Sequence, residues 1–169
     1  MKLDKVTRLF LFTLAALLLY WLDSWILLPG AAPDARLGLS LTVTLFAVWV
    51  CGIREGAVVT LVWIFFGSMI VDGFDRFLFS APGGILAFLT VAGLRAALKE
   101  DQVWIAGCMG TLAYGLGQLI MEMWLKKAVA YLLFFPTAMV YGVFAGLLLG
   151  LCTQLVIKKG SKTWKTIFK

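Results

Sequence analysis

Residues 63–88, WIFFGSMIVDGFDRFLFSAPGGILAF, are the stretch from which the rest of the chain can be interpreted. An apolar segment ends at Asp72, a polar link follows at 73–76, and the chain returns to apolar residues before Pro82-Gly83-Gly84. Charged groups and helix breaks are costly in hydrocarbon and are tolerated where they line a cavity or are covered by protein. We therefore expect two helices joined by a polar link, with the second helix starting at the Pro-Gly-Gly break.

The composition is that of an integral membrane protein. The chain has 169 residues, of which 62% are hydrophobic, and its net charge is +6. It contains no histidine, which nearly excludes zinc sites and Ser-His or Cys-His catalysis. Cys51, Cys108 and Cys152 show no CxxC spacing and lie in apolar segments, as buried hydrophobic residues do. No phosphate-binding loop is present, so we expect that the chain does not by itself hydrolyse ATP through such a loop. We also expect that it is not an enzyme and has no catalytic residues and no metal site.

The predicted fold class is all-α: a single integral membrane domain, 1–169, forming a six-transmembrane-helix bundle. Most of the apolar segments approach the ~20 residues that a helix needs to cross the hydrocarbon. The first follows three basic residues, but it is too long for the apolar core of a signal peptide, and we expect it to be retained. The segments are 9–28, 37–53, 56–71, 77–98, 103–125 and 131–157, followed by a basic cytoplasmic tail at 158–169.

The distribution of Lys and Arg predicts that both termini are cytoplasmic. With that orientation the outer side holds four basic residues, Arg36, Arg76, Lys126 and Lys127, and the inner side holds the other 11 of 15. The C-terminal run then lies against anionic lipid, so the lipid bilayer explains the positive charge and we expect no nucleic acid partner. The predicted location is the cell (cytoplasmic) membrane, which the chain crosses several times.

Polar side chains recur at helical spacing in the outer halves of the segments. Thr111, Tyr114, Gln118 and Glu122 share one face of the fifth segment, because residues three and four apart are neighbours on a helix. These stripes predict an outward-facing cavity; the alternative is a set of hydrogen bonds that only hold the helices together. The predicted substrate-binding residues are Asp23, Arg36, Ser40, Trp63, Asp72, Tyr114, Gln118 and Glu122.

Small residues mark a packing face on the sixth segment. Ala138, Gly142, Gly146 and Gly150 recur at intervals of four residues, which allows another helix to approach closely. The partner is either another helix of this chain or a second subunit, and the sequence leaves both open.

Several motifs in order resemble a known family. They are Arg36-Leu-Gly-Leu-Ser, Gly-Ile-Arg-Glu-Gly at 52–56, Phe-Gly-Ser-Met-Ile at 66–70, Phe-Leu-Phe-Ser-Ala-Pro-Gly-Gly at 77–84 and Gly-Leu-Gly-Gln-Leu at 115–119. Together they resemble the Gx transporter family, also labelled heptaprenyl diphosphate synthase component I. That family is similar to the S components of energy-coupling factor (ECF) transporters. The resemblance implies a six-helix bundle with an outward vitamin site, a coupling subunit and ATPases as partners, and a role in flavin or quinone physiology.

Three functions follow as hypotheses. The first is an ECF S-component-like transport subunit that binds a small vitamin-like or aromatic molecule, with a flavin as a candidate ligand. Trp63 and Tyr114 would stack on its ring and Asp72, Gln118 and Glu122 would fix its polar edge. The second is a non-catalytic membrane subunit that organises an electron-transfer or isoprenoid- or quinone-related complex. The third, an isoprenoid diphosphate synthase, fits least, because it needs clustered carboxylates for Mg²⁺ and cationic groups for the diphosphate.

Overall fold

The computed structural model describes the backbone of residues 5–26, 28–30, 35–71 and 73–168, and the side chains of all these except 71, 75, 76 and 161–168. This part of the chain is helical and contains no strand. Six helices account for most of it, with short 3₁₀ turns at Glu100–Gln102 and Val129–Phe134. The helices are α1 Lys5–Asp23, α2 Leu41–Val50, α3 Ile53–Val62 continued by Trp63–Gly67 and Ser68–Val71, α4 Phe74–Ala97, α5 Val103–Lys126 and α6 Phe135–Phe168.

Five helical stretches in the described residues are long and apolar enough to cross a membrane, and the chain is therefore a multi-pass membrane protein. Helix α2 is the exception, since its ten residues span about 15 Å, half of the ~30 Å hydrocarbon core. The all-helical class is confirmed, with five such stretches among the described residues, and the bundle of six transmembrane helices stays a prediction. The stretches are Lys5–Asp23, Ile53–Ile70, Phe77–Ala97, Glu100–Lys126 and Val129–Gly160.

The second helix was predicted from 37 and begins only at Leu41. Backbone N–H groups just before it donate to the carboxylate of Asp23 at the end of α1, so these residues are held in a non-helical conformation. Gly38 has a φ of +80°, which other residues rarely adopt. The first helix, predicted over 9–28, ends at Asp23, and turn hydrogen bonds from Trp25 to Leu22 and from Ile26 to Asp23 follow it.

The Pro-Gly-Gly sequence does not break the fourth helix, contrary to the prediction. Helix α4 begins at Phe74 and continues through Pro82 to Ala97. A membrane helix tolerates proline when neighbouring helices cover the backbone, and here the two glycines make that cover possible. A Cβ on Gly83 would lie 2.7 Å from the Tyr114 carbonyl oxygen, and one on Gly84 would collide with Ile64.

Helix α5 packs between α4 and α6 through glycines on all three helices. A Cβ on Gly117 would lie 2.6 Å from the Cα of Gly83, and one on Gly107 would lie 2.7 Å from the Gly150 Cα. A Cβ on Gly146 would lie 2.5 Å from the Cα of Cys108. The ridge of Ala138, Gly142, Gly146 and Gly150 therefore packs against α5 of this chain.

The last helix differs from the predicted segment at both ends. It begins at Phe135 rather than 131, and it continues through the basic region to Phe168. Its N-terminal side is preceded by the 3₁₀ turn at Val129–Phe134. The predicted tail at 158–169 is thus a continuation of α6 as far as Phe168.

One end of the bundle carries most of the described basic residues, and we call it the basic end. There Lys5 Nζ lies 3.0 Å from Glu55 Oε1, and Lys158 Nζ lies 2.7 Å from Asp101 Oδ1. These ion pairs place the start of α1 beside the start of α3, and α6 beside the α4–α5 connection. The grouping matches the predicted inner side, and the cytoplasmic orientation of that side stays a prediction.

Candidate functional site

The polar centre of the bundle is built around the Asp23 carboxylate, which is only 1% exposed. Its Oδ2 accepts hydrogen bonds from the N–H groups of Gly38 at 2.8 Å and Leu39 at 3.2 Å. Its Oδ1 accepts one from Leu37 at 3.3 Å. A buried carboxylate is stable only when such partners compensate its lost hydration. Asp23 thus joins the end of α1 to the segment that leads into α2.

Arg36 extends this centre toward α5. Its backbone N–H donates to Gln118 Oε1 at 3.3 Å. Its guanidinium carbon lies 4.6 Å from the centre of the Tyr20 ring, which is the geometry of a cation–π contact. Arg36 is 9% exposed, so this contact is made with little water around it. Its positive charge acts electrostatically on the Asp23 carboxylate.

Tyr20, Trp63 and Tyr114 form an aromatic cluster in the core. The Tyr20 ring centre lies 5.7 Å from that of Trp63, which lies 6.3 Å from that of Tyr114. The Tyr20 hydroxyl hydrogen-bonds the hydroxyls of Ser80 at 2.9 Å and Ser68 at 3.2 Å. Trp63 and Tyr114 are at most 1% exposed, and their rings pack against each other in the core at an angle of 59°.

A π-helical turn at Trp63–Gly67 positions this cluster. Such turns insert one residue into a helix and occur often at functional sites. The Trp63 Nε1–H donates to Thr44 Oγ1 at 3.2 Å, and Thr44 Oγ1 lies 3.0 Å from Thr60 Oγ1. Every polar atom of this short chain of hydrogen bonds comes from α2 or α3, so it fixes the short helix α2 against its neighbour.

A small recess opens beside α5 at the end opposite the basic end. Arg36, Gln118 and Glu122 contribute its polar groups, and Thr111 lies deeper. Its volume is about 30 Å³, which is room for about one or two water molecules. Lys126 Nζ lies 3.8 Å from Glu122 Oε1 at the rim. The remaining lining residues are Leu28, Ala35, Leu37, Gly115, Leu119, Phe134, Ala138, Tyr141 and Gly142.

The predicted stripe on the fifth segment divides between these two places. Gln118 and Glu122 lie in the recess, whereas Tyr114 points into the aromatic cluster. Thr111 donates to the carbonyl of Gly142 on α6 at 2.6 Å. All four side chains are buried, as residues on the protein-facing side of a membrane helix are.

The other predicted site residues lie apart from the recess. Asp23 and Trp63 are in the core centre, and Ser40 is fully buried at the start of α2. Asp72 lies outside the described residues. The structure therefore brings Gln118 and Glu122 together in the recess, and Trp63 and Tyr114 together in the aromatic cluster. Arg36 contacts both groups, through Gln118 and through the Tyr20 ring.

Sequence reasoning missed three polar contributors to these groups. Thr60 and Ser80 hydrogen-bond inside the bundle, and the Tyr141 hydroxyl donates to the Pro29 carbonyl at 2.9 Å. Ser80 carried a usable signal, because it stands alone in an apolar run two residues before Pro82. Thr60 had none, since a single threonine in a helix is ordinary. In the described part of the chain no group of three or more His, Cys, Asp or Glu side chains could hold a metal ion.

Comparison with protein families gives one match. The model of the family described as heptaprenyl diphosphate synthase component I matches residues 12–156, which reach from α1 into α6. Component I is a subunit that lacks catalytic activity itself, so the chain is not an enzyme on its own. No curated protein and no solved structure matches the chain.

Proposed function

Because the chain belongs to the heptaprenyl diphosphate synthase component I family, we propose that it is the non-catalytic membrane subunit of such an enzyme. In this role it anchors and organises a catalytic partner at the cytoplasmic membrane. The observation that carries the proposal is the family match over residues 12–156, which takes in most of the described bundle.

The placement of the acidic residues supports a non-catalytic role. Synthesis of an isoprenoid diphosphate needs Mg²⁺ held by clustered carboxylates. Here Asp23 accepts backbone hydrogen bonds, Glu55 pairs with Lys5, and Asp101 pairs with Lys158. These carboxylates are on different helices and serve different contacts, so the metal-dependent chemistry belongs to the partner.

The basic end is the surface that we assign to the partner. Lys99, Lys158 and Lys159 are exposed there, and α6 continues beyond them to Phe168. Complementary charge accelerates association and selects the partner more than it adds affinity. We therefore expect the catalytic subunit to present an acidic surface to this end.

The test is co-expression with the catalytic prenyl diphosphate synthase subunit of the same organism, followed by affinity purification in mild detergent. We expect the catalytic subunit to elute with this chain and to be lost at raised salt. Lys159→Glu should lower its recovery several-fold, whereas Lys127→Glu, an equal charge change at the other end, should not. Absence of the catalytic subunit from the wild-type eluate would contradict the proposal.

A second candidate function is favoured by the recess. Arg36, Gln118 and Glu122 all line it, and an amide and a carboxylate together are typical of sites that orient a small polar ligand. On this hypothesis the chain is an ECF S-component-like subunit that binds a small vitamin-like or aromatic molecule, such as a flavin, for a coupling subunit and ATPases. Binding would require the recess to enlarge well beyond one or two waters.

The visible absorption spectrum of the purified protein separates the two functions. Under the transport hypothesis a flavin co-purifies, and Glu122→Gln lowers its content while Glu55→Gln, at the basic end, leaves it unchanged. A colourless protein that recovers a synthase subunit and no ATPases supports the first proposal. A bound flavin together with ATPases supports the second.

A further inference from the structure

The side chain of Lys126, the last residue of α5, lies beside two aromatic rings at the end of the bundle opposite the basic end. Its Nζ is 5.1 Å from the centre of the Tyr131 ring and 5.5 Å from the centre of the Phe79 ring. The rings belong to different elements, since Phe79 is on α4 and Tyr131 is in the 3₁₀ turn that follows α5. A cation within about 6 Å of a ring centre is attracted by the ring face. Both rings therefore stabilise a positive charge at this point.

Two further features favour a cation at the same point. Glu122 Oε1 lies 3.8 Å from Lys126 Nζ, and the Glu122 side chain is only 3% exposed, so salt and water screen its charge weakly. Helix α5 ends here, because Lys127 adopts a left-handed conformation with a φ of +47°. The carbonyl end of a helix carries a partial negative charge, which stabilises cations near its last turn. We call the place formed by Phe79, Tyr131 and Glu122 the cation cage.

The cation cage has the chemistry of a site for an ammonium ligand. Aromatic faces grouped around one point are the arrangement by which proteins recognise alkylated ammonium groups, and here a carboxylate adds the opposite charge. The Lys126 side chain is 33% exposed, so the cage opens to the surface of the protein. Because a lysine has a flexible four-carbon stem, its ammonium can leave the cage while α5 stays in place. Lys126 is therefore related to the cage as a tethered ligand is to its site.

The cation cage adjoins the recess. Glu122 belongs to both, and the ring centre of Phe134, which lines the recess, lies 5.9 Å from that of Tyr131. A ligand held in the cage would therefore lie across the mouth of the recess.

We propose that the cation cage is a binding site for a small organic ammonium group, and that Lys126 occupies it when this ligand is absent. The ammonium of the ligand replaces that of Lys126 between the rings and beside Glu122. A tethered group competes as if it were present at roughly millimolar concentration, so the ligand must bind the cage more tightly than this to displace it. The ligand is a soluble amine or the amine of a lipid headgroup, since both present the same group to the cage.

The test measures the binding of n-propylammonium, which has the atoms that Lys126→Ala removes. The full chain is used in an uncharged maltoside detergent, which contains no amine, and the affinity is measured by isothermal titration calorimetry. We expect Lys126→Ala to bind this probe saturably and at least about 10-fold more tightly than the wild type, because the tethered competitor is gone. Lys127→Ala removes an equal charge from the next residue, which is exposed, and should bind the probe as the wild type does.

The walls of the cation cage are tested in the Lys126→Ala background. Tyr131→Leu and Phe79→Leu should each weaken binding of the probe roughly 2- to 5-fold, the effect of one cation–π contact at a partly exposed place. Phe144→Leu removes an exposed ring of α6 outside the cage and is the matched control. Glu122→Gln removes the negative charge and should weaken binding more than either ring variant. If Glu122→Gln aggregates, the ring variants still decide the result.

1-Propanol, a neutral molecule of nearly the same size as the probe, should not bind to Lys126→Ala. Absence of saturable propylammonium binding to Lys126→Ala would overturn the proposal, as would equal binding of propanol or equal tightening by Lys127→Ala. Addition of phosphatidylethanolamine to the micelles identifies the source of the ammonium group. Competition by this lipid assigns the cage to a headgroup amine, and lack of competition assigns it to a soluble amine, so both results uphold the cage.

The outcome is separable from that of the proposed function. Recovery of the catalytic subunit depends on the basic end, whereas propylammonium binding depends on the opposite end. A complex without propylammonium binding would overturn the inference alone, and propylammonium binding without a complex would uphold the inference and contradict the subunit role.

Discussion

At the scale of single residues, the carboxylate of Asp23 has the greatest structural consequence. One side chain accepts hydrogen bonds from three consecutive backbone N–H groups, at residues 37, 38 and 39. These hydrogen bonds hold the residues before α2 in a non-helical conformation. In that conformation Arg36 lies over the Tyr20 ring and beside Gln118. The recess and the aromatic cluster both depend on this arrangement.

Replacement of Asp23 should therefore destabilise the protein more than a typical polar substitution. Asp23→Ala leaves three N–H groups without their acceptor, and we expect a loss of about 2–4 kcal/mol in the free energy of unfolding. Asp23→Asn keeps one carbonyl oxygen and should lose less. The thermal unfolding midpoint in detergent, followed by tryptophan fluorescence, measures both.

Asp101→Ala is the matched control, because the Asp101 side chain is 74% exposed and its ion pair with Lys158 lies in water. Exposed ion pairs contribute about 0–1 kcal/mol. An unfolding midpoint for Asp23→Ala equal to that of Asp101→Ala would contradict the central position given to Asp23.

At the scale of helices, the close packing of α5 and α6 depends on glycine. Gly146→Leu should prevent the two backbones from meeting, since even a Cβ would lie 2.5 Å from the Cys108 Cα and 2.7 Å from the Gly107 oxygen. We expect a loss of about 3 kcal/mol or more, or failure to recover a monodisperse protein in size-exclusion chromatography. Gly93→Leu adds the same atoms at a position with nothing within 4 Å and should be recovered like the wild type. Equal behaviour of the two variants would show that the helices do not pack through this ridge.

The helices themselves were largely predictable, because long apolar segments in a membrane must be helical to satisfy their backbone. Helix α5, predicted over 103–125, is found at Val103–Lys126. The failures have long-range causes that no local pattern contains. Residues 37–40 are apolar enough to continue α2, but the Asp23 carboxylate accepts hydrogen bonds from the N–H groups of residues 37–39. Pro82 is a local helix breaker, but α5 covers it through Gly117.

The candidate site was predictable only in part for the same reason. Helical spacing correctly placed Thr111, Tyr114, Gln118 and Glu122 on the buried side of α5. It could not tell that Tyr114 lies in the aromatic cluster while its neighbours line the recess, since that depends on which helix faces each position. The π-helical turn shifts the register of α3 after Val62, and the sequence has no proline or polar residue there to announce it.

At the scale of the whole molecule, the basic end is the surface that we assign to the catalytic partner. With this end cytoplasmic, a cysteine at Lys127 should react with an impermeant thiol reagent in intact cells, because Lys127 is exposed at the opposite end. A cysteine at Lys159 should react only after lysis. Cys51, Cys108 and Cys152 are replaced by serine beforehand. The reverse labelling pattern would place the basic end outside and remove it from cytoplasmic partners.

In the proposed function, this chain anchors the complex in the membrane and another subunit catalyses the reaction. Prenyl transfer to farnesyl diphosphate in reconstituted vesicles tests this division most directly. The account predicts no product with this chain alone, and vesicle-bound heptaprenyl diphosphate synthesis when the catalytic subunit is added. Product formed by this chain alone, or synthesis by the catalytic subunit that is equally active and equally vesicle-bound without it, would contradict the account.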